Sequence, residues 1–234
     1  MTVPGNLSSP LLATAADGAA AAAGPIKSLR FNDDDSAYLS KTFSSTGSQK
    51  KFTWAAWVKR CGGFGTRQVL FGNCSSGFNE NYIGFDTNNE IRYSDYDYSV
   101  YANLKTSASF RDPSAWYHIV LAVDTTAATS SDRVEIYVNG VNITNFDTEV
   151  YPAQNRNSNI THSVGEHRIG RASNNDPYPA DVYMADMHFI DGAALDPTSF
   201  GAFDDNGVWQ SAAYSGTYGT NGFHLLDFAN ESTV

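Results

Sequence analysis

The chain has few cysteines, few basic residues and no long apolar segment. Its 234 residues include only two cysteines, so a framework of several disulfides is excluded. Acidic residues outnumber basic ones by 25 to 15, and the formal net charge is −10. Because this balance opposes binding to a phosphate backbone, we expect no nucleic-acid partner. No stretch approaches the roughly 20 apolar residues that a membrane-spanning helix requires, so we expect no membrane insertion.

The two cysteines, Cys61 and Cys74, are predicted to be free thiols. The segments "FTWAAWVKRC" and "RQVLFGNC" are interpreted as a hairpin around Gly62–Arg67. In that register Cys74 lies about six residues beyond the position that faces Cys61, roughly 20 Å away, which is too far for a disulfide. If the two strands belong to different sheets, this distance argument does not apply. Without a C-x-x-C motif, the pair is also a poor zinc signature.

Residues 1–25 differ in composition from the rest of the chain. They contain no aromatic residue and no alternating pattern, and their alanine run is bracketed by Gly18 and Gly24-Pro25. The segment also lacks the basic start and unbroken apolar core of a signal peptide, so we expect synthesis in the cytoplasm without secretion. We interpret residues 1–25 as an N-terminal arm that attaches the remainder, residues 26–234, to a partner.

From Ile26 onward the apolar residues recur with a period of two, which is typical of β-strands. In "FTWAAWV" the alternation places Trp54 on one face and Trp57 on the other, so one tryptophan is expected in the core and the other beneath a loop or second layer. The segment "YHIVLAVD" is nearly all apolar. It is therefore predicted to be a central strand that is covered on both faces.

The segment "VEIYVNGVNIT" predicts a β-hairpin. Asn139-Gly140 suits a two-residue type I′ turn, in which both positions need a positive φ. This turn sets Val138 opposite Val141 and Ile136 opposite Ile143. We expect these four apolar side chains to share one buried face.

Residues 192–222 form a turn-rich excursion before a closing strand, "GFHLLDF". Within the excursion, Asp196 is predicted to cap a short helix with Pro197 at its first position, and Trp209 is expected to anchor the excursion to the fold. About a dozen short strands and one helical turn predict an all-β protein, a two-sheet antiparallel sandwich with an extended N-terminal arm.

Several segments, in their order along the chain, resemble a laminin-G-like domain of the concanavalin A-like jelly-roll superfamily. They are "SLRFNDDDSAYLS", "FTWAAWVKR", "WYHIVLAVD", "RVEIYVNGVNIT", "HRIGRA" and "VYMADMHFIDGAALDP". The resemblance covers about residues 26 to 191 and implies a jelly-roll sandwich. Since this fold carries lectins, hydrolases, lyases and spacers, it leaves the function open.

A narrower resemblance spans almost the whole chain after the arm. "KSLRFNDDDSAYLSKT", "FRDPSAWYHIVLAVDTT" and "FIDGAALDPTSFGAFDDNGVWQ" are similar to domains of tail-fibre-like and other virion proteins of marine and cyanobacterial bacteriophages. This resemblance implies a structural protein at the virion surface, on capsid or tail, made in the host cytoplasm. The arm of residues 1–25 would contact other virion proteins, and phage fibres are commonly homotrimers.

Two functions compete within this setting. In the first, the sandwich is lectin-like and binds host-surface glycans for adhesion. In the second, it is a capsid or tail decoration or assembly protein that has no ligand. A polysaccharide-degrading enzyme is a distant third alternative.

No catalytic residues are predicted. Glycoside hydrolysis needs two carboxylates that flank the bond, and the E-x-D-x-x-E pattern of jelly-roll glucanases is absent. No G-x-S-x-G motif occurs. His118 and His188 lie within predicted strands, where a hydrogen-bonded structural role is the commoner explanation. We therefore expect a protein that is not an enzyme.

The stretch "IRYSDYDYSVY" is the candidate ligand-binding segment. Tyrosine offers rigid contact area and a hydroxyl at little entropic cost, and the aspartates can accept hydrogen bonds from sugar hydroxyls. If the strand ends near Tyr93, the following residues form a loop or edge ribbon in which Tyr96 and Tyr98 share a face. The alternative is that the tyrosines cover the sandwich edge or a subunit contact. The candidate residues are Asp95, Tyr96, Asp97, Tyr98 and Tyr101.

Members of this superfamily often bind Ca²⁺ at the rim of the sandwich. Such an ion needs six to eight oxygen ligands in general. Candidates here are Asp33–Asp35, Asp95 with Asp97, and Asp204–Asn206, yet none follows a known loop signature. Turns explain these residues equally well. No cofactor is therefore expected, and a Ca²⁺ ion is left open.

Overall fold

A computed structural model describes residues 27–75, 78–96, 98–172 and 178–225. The predicted arm, residues 1–25, lies outside the described residues, and so do Asp97 and residues 226–234. The described part contains sixteen β-strands and two 3-10 helices of three residues each. Among the described residues, none of the helices is long and apolar enough to cross a membrane.

The strands form two seven-stranded antiparallel sheets and a small two-stranded ribbon. The strands are β1 Leu29–Phe31, β2 Leu39–Lys41, β3 Lys51–Arg60, β4 Gln68–Ser75, β5 Phe78–Phe85, β6 Glu90–Tyr96, β7 Val100–Ser109, β8 Tyr117–Asp124, β9 Val134–Val138, β10 Val141–Asn142, β11 Phe146–Val150, β12 Glu166–Ile169, β13 Val182–Asp191, β14 Gly201–Phe203, β15 Trp209–Ser211 and β16 Phe223–Leu225. Sheet A has the order β1-β13-β3-β8-β9-β10, with β16 also pairing with β13. Sheet B has the order β11-β7-β6-β5-β4-β12-β2, and β14 pairs with β15. The predicted all-β sandwich is confirmed.

The main core lies between the two sheets. Alternate residues of β3 and β8 point into it, so Trp54 of β3 and Leu121 of β8 are fully buried there. Sheet B contributes Leu70 and Ile83. The intervening residues of β8, such as Val120, are also buried, on the opposite face of sheet A. The prediction that β8 is covered on both faces is thus confirmed.

The Asn139-Gly140 turn has the predicted geometry. Both residues have positive φ, 50° and 79°, and Val138 pairs with Val141. The predicted burial is wrong at Val141, which is 57% exposed. The reason is that β10 is the edge strand of sheet A and has only two residues. Val141 therefore lies at the edge of the sheet, where it is open to solvent.

The predicted hairpin of β3 and β4 does not form. The strand β3 lies in sheet A between β13 and β8, whereas β4 lies in sheet B between β5 and β12. Residues 61–67 therefore cross between the sheets, and the distance argument about the cysteines does not apply. Cys61 is a free thiol. Its backbone N–H donates to the carbonyl of Asp181 at 2.8 Å.

Residues 192–222 cover the outer face of sheet A and create a third layer. Phe200 packs there against Val120 and Ile190, with Tyr214 and Tyr218 at its margin. The predicted cap is confirmed, since Asp196 Oδ1 accepts a hydrogen bond from the Thr198 N–H at 2.8 Å. The excursion thus adds a small apolar core outside the sandwich.

The two tryptophans of β3 serve the two cores, as predicted. Trp54 belongs to the main core, whereas Trp57 packs with Ala185 and Trp209 beneath the outer layer. Trp116 precedes β8 and is partly buried against that same outer cluster. Trp116 therefore lies outside the main core.

Acid should destabilise the fold through His167 of β12. Its ring is 3% exposed and stacks on Phe43 at 3.6 Å, and its Nε2 donates to the carbonyl of Ile160 at 2.7 Å. Burial lowers the pKa of His167 from 6.5 to about 4. The folded state therefore binds this proton more weakly than the unfolded state does. The stabilising contribution is complete above pH 6.5 and is lost between pH 6.5 and 4, about 3 kcal/mol in total.

Urea titrations at several pH values measure this contribution. His167→Gln should reduce the slope of the unfolding free energy against pH, between pH 6.5 and 4, by the equivalent of about one bound proton. His162→Gln, which changes a partly exposed histidine of the neighbouring loop, is the comparison and should change the slope less than His167→Gln does. An unaltered slope in the His167 variant would contradict the assignment.

Candidate functional site

The tyrosine-rich segment is a β-hairpin within sheet B. The strand β6 continues to Tyr96, and Tyr96 pairs with Val100 at the start of β7. Since β6 also pairs with β5, and β7 with β11, neither strand is at an edge of the sheet. The expected loop or edge ribbon after Tyr93 is therefore wrong, because the strand pairing continues for three further residues. Only the tip of the hairpin extends beyond the paired region.

Asp95 points into the protein. It is 3% exposed, and its carboxylate accepts two hydrogen bonds at 3.3 Å from Asn159, one from the backbone N–H and one from the side-chain amide. Burial raises the pKa of Asp95. The carboxylate thus holds the segment around Asn159 against sheet B. It is not part of the exposed surface that the sequence pattern predicted for a sugar contact.

The three tyrosines of the predicted site have different surroundings. The backbone N–H of Tyr96 donates to Asn81 Oδ1 at 2.7 Å, and the ring of Tyr96 is partly buried. The ring of Tyr101, also partly buried, has the Arg156 guanidinium 3.3 Å from its centroid. Tyr98 is 83% exposed. Because Tyr98 lies in the turn, the strand alternation that linked its face to that of Tyr96 does not extend to it.

The backbone of Tyr98 is in the left-handed region, with φ of 54°. For a bulky side chain this conformation costs on the order of 1–2 kcal/mol, and glycine or asparagine would fit the turn better. Tyr98 is therefore both exposed and unfavourable for its turn. Backbone strain of this kind is concentrated at functional sites in proteins.

The acidic loops considered for Ca²⁺ have turn contacts of their own. Asp204 Oδ1 accepts the N–H groups of Asn206 and Val208, each at 2.9 Å, and its Oδ2 accepts from Gln210 at 3.1 Å. Asp35 accepts from Asn32 at 2.8 Å. These bonds account for the presence of both acidic residues as turn formers.

A second group of polar residues lies on the outer face of sheet A, and the sequence patterns did not reveal it. It begins at a β-bulge in β13. Ala185 pairs with Trp57 and His188 with Ala55, so Asp186 and Met187 both face Ala56 of β3. The φ of Asp186 is 48°. The extra residue reverses the alternation, so that Met187 joins the main core while His188 points outward.

Asp186, His188 and His224 converge around one carboxylate oxygen. Asp186 Oδ1 lies 3.0 Å from His188 Nε2 and 2.7 Å from His224 Nε2. The two histidines occupy paired positions on β13 and β16. Their rings are stacked, with centroids 4.0 Å apart and planes 14° from parallel. Strand register therefore brings together residues that lie 36 positions apart in the sequence (188 and 224).

Two hydroxyl groups orient this cluster. Ser211 Oγ donates to Asp186 Oδ2 at 2.9 Å, and the Tyr218 hydroxyl lies 3.1 Å from His188 Nδ1. Burial by itself would raise the pKa of Asp186, but the hydrogen bonds from His188, His224 and Ser211 lower it below its ordinary value. Burial lowers the pKa of His188. At neutral pH the cluster thus contains a carboxylate and a neutral His188.

His118 lies nearby on β8 and serves the outer layer. Its Nδ1 accepts a hydrogen bond from Trp209 Nε1 at 3.0 Å, so the proton of the neutral ring is on Nε2. Complete burial lowers the pKa of His118 to about 3. The predicted hydrogen-bonded roles of His118 and His188, and the anchoring role of Trp209, agree with these contacts.

The cluster does not have the geometry of a nucleophile with its base. Ser211 donates to Asp186 rather than to a histidine, whereas nucleophilic catalysis requires the hydroxyl on the base. The sequence signal that was missed is the pair of segments "ADMHF" and "FHL". Their histidines align only once the register of β13 and β16 is known.

These features define a two-sheet antiparallel β-sandwich with an added outer layer. Residues 31–198 match the Laminin_G_3 family, described as the concanavalin A-like lectin/glucanases superfamily. The chain therefore belongs to this superfamily, in agreement with the laminin-G-like resemblance. A search of curated protein sequences gave no match.

Two solved structures are similar to part of this chain. One is a native heptameric SAP-like pentraxin from Limulus polyphemus, with a TM-score of 0.46, 13% identity, and 68% of this chain and 70% of that chain covered. The other is Trypanosoma rangeli sialidase, with a TM-score of 0.43 and 16% identity over 64% of this chain. This chain spans 22% of the sialidase's length.

Proposed function

We propose that this chain is a non-enzymatic structural protein of a bacteriophage virion and that its sandwich binds host-surface glycans through the tip of the β6–β7 hairpin. The observation that carries the binding role is Tyr98, an 83% exposed tyrosine in a left-handed turn. The virion setting is supported by the resemblance of the segments around Phe31, Trp116 and Phe189 to phage tail-fibre-like proteins. The superfamily, which includes lectins, supports a carbohydrate ligand.

The chemistry at the tip suits a sugar. The ring of Tyr98 offers a flat apolar face to the C–H groups of a pyranose, and its hydroxyl can exchange hydrogen bonds with sugar hydroxyls. Val100, 52% exposed, adds apolar surface beside it. Because the hairpin strands are internal to sheet B, the tip is held on a rigid support, which lowers the entropic cost of binding.

Tyr98→Asn should weaken glycan binding at least about tenfold without harm to the fold. Asparagine tolerates the left-handed turn, so we expect a melting temperature equal to or slightly above that of the wild type. On a glycan array, screened with and without Ca²⁺, the variant should lose at least about tenfold in affinity for any glycan that the wild type binds. Val141→Asn, at an exposed apolar residue of sheet A, is the matched control and should bind normally.

Two results would count against adhesion. One is the absence of wild-type binding to any glycan at millimolar concentration. The other is equal binding by the Tyr98 variant, which would move the site elsewhere on the sandwich. If the variant instead fails to join the particle while no glycan binds, the decoration or assembly function is favoured. We assign attachment to the virion to the arm of residues 1–25, and we expect a homotrimer because phage fibres are commonly trimeric.

A further inference from the structure

We propose that Asp186, His188 and His224 form a binding site for a divalent transition-metal ion, of which Zn²⁺ is the best fit, and that this ion fastens β16 to β13. The site lies in the outer layer of sheet A, whereas the proposed glycan site lies on sheet B. The two proposals are therefore independent.

The donor atoms of the cluster are of the kinds that Zn²⁺ binds. One carboxylate oxygen and two imidazole nitrogens lie within 4.8 Å of one another. Two histidines with one carboxylate are a common ligand set for Zn²⁺ and for other first-row metals, and they are unlike the all-oxygen sets of Ca²⁺. At metal–ligand distances of about 2.0–2.2 Å, neighbouring ligands are roughly 3.0–3.5 Å apart. The observed separations of 2.7 and 3.0 Å need to open by only a few tenths of an ångström.

The surrounding hydrogen bonds are the second argument. Histidines that bind metals usually bond through their other ring nitrogen, and ligating carboxylates are themselves hydrogen-bonded. His188 presents Nε2 to the cluster and has the Tyr218 hydroxyl at Nδ1. Asp186 presents Oδ1 to the cluster and accepts from Ser211 at Oδ2. With a metal on Nε2, the ring proton of His188 would move to Nδ1 and be donated to the Tyr218 oxygen.

The backbone of Asp186 is the third argument. A β-bulge with a positive φ is a costly feature in a central part of a strand, and bulges are enriched at sites where a side chain is redirected. Regular alternation would direct Asp186 into the main core, where an unpaired carboxylate is strongly unfavourable. The bulge directs it outward to the two histidines instead.

Coordination requires one change of side-chain geometry. The two imidazole rings are nearly parallel, and a metal must lie close to the plane of each ring that binds it. The rings must therefore fan apart, and His224, with 29% of its side chain exposed, is the one with room to rotate. Its exposure also leaves a fourth position open to water. The competing explanation is a hydrogen-bonded cluster that binds no metal.

The experiment uses the full chain after removal of metals with EDTA. Zn²⁺ binding is measured by calorimetry, and Co²⁺ is added separately to record its visible absorption, which reports the coordination geometry. The wild type should bind one Zn²⁺ per chain with micromolar or tighter affinity, with an increase of several degrees in melting temperature. Co²⁺ should give a visible band that Zn²⁺ abolishes.

The variants separate this site from adventitious binding. His224→Ala should lose at least about 100-fold in Zn²⁺ affinity and should show no Co²⁺ band, whereas His162→Ala, at a histidine outside the cluster, should match the wild type. Wild-type protein that binds no Zn²⁺ at 1 mM, or His224→Ala that binds normally, would overturn the proposal. If His224→Ala fails to fold, His224→Gln replaces it. The Zn²⁺ stoichiometry and the Co²⁺ band of the wild type then still show whether the chain binds a metal ion.

Discussion

Trp209→Ala should lower the free energy of unfolding by about 3–5 kcal/mol, as expected for the loss of a buried tryptophan. Trp209 is 6% exposed and packs against Trp57 in the outer layer. A Cβ atom placed on Gly140 or Gly201 would lie 2.3 or 2.5 Å from the Trp209 ring, so two backbone segments approach it closely.

The hydrogen bond of Trp209 can be separated from its packing. Trp209→Phe keeps most of the ring but leaves His118 Nδ1 without its donor, at a cost of about 1–3 kcal/mol. Urea unfolding of the wild type and both variants measures the two contributions. A loss below about 1 kcal/mol in Trp209→Ala would show that the excursion is not anchored by this residue. Phe203→Ala, at a 53% exposed neighbour, is the control and should cost much less.

The sequence predicted features that depend on neighbouring residues. The period of two placed Trp54 and Trp57 on opposite faces, and the Asn139-Gly140 turn set the register of its own hairpin. The Asp196 cap likewise depends on a residue only two positions away. Such local rules hold because the chain itself keeps the partners close, whatever the rest of the fold does.

The features that were missed depend on distant partners. Whether β4 pairs with β3 or crosses to sheet B is not determined by the alternation of either strand, because alternation defines the two faces of a strand but not its neighbours. The bulge at Asp186 also cannot be recognised from β13 alone, because the one-residue shift is defined by the pairing of β13 with β3. The convergence of His188 and His224 then follows from that bulge and from the register of β16.

At the candidate glycan site, too, the sequence predicted the local feature and missed the one that depends on distant partners. Composition predicted that "IRYSDYDYSVY" would offer tyrosines at a surface, and Tyr98 is exposed. It did not predict that β6 would extend through Asp95, because the pairing that buries this carboxylate comes from β5, β7 and the Asn159 segment. The exposed part of the predicted site is therefore smaller than the sequence suggested.

Arg60→Met should also lower the free energy of unfolding by about 3–5 kcal/mol. Arg60, the last residue of β3, is fully buried. Its guanidinium donates at 2.9 Å to the Asn89 side chain and to the Phe110 carbonyl, and at 3.3 Å to the Gly63 carbonyl. Methionine fills much of the space but removes three hydrogen bonds from a charged donor, each worth about 1.5–3 kcal/mol. It leaves the Phe110 carbonyl unpaired, whereas Asn89 Oδ1 and the Gly63 carbonyl keep the N–H groups of Gly65 and Thr66.

The charge of Arg60 is retained in the interior. Burial lowers its pKa to about 10, which still leaves the group protonated at neutral pH. The rings of Phe64 and Phe85 lie 4.5 and 4.4 Å from its guanidinium carbon, so the cation is stabilised by two aromatic faces as well as by oxygen acceptors. Arg60 thereby joins β3 to the segment that crosses to sheet B.

Arg133→Met is the matched control for Arg60→Met. Arg133 also donates to three carbonyls, those of Ala127, Ala128 and Pro152, but it is only partly buried. Water can reach its acceptors after substitution, so we expect a loss of about 1 kcal/mol or less. Urea unfolding of both variants gives the comparison. Equal losses would contradict a special role for Arg60, whereas a larger loss with faster proteolysis at residues 61–67 would identify it as the residue that fixes the crossing between the sheets.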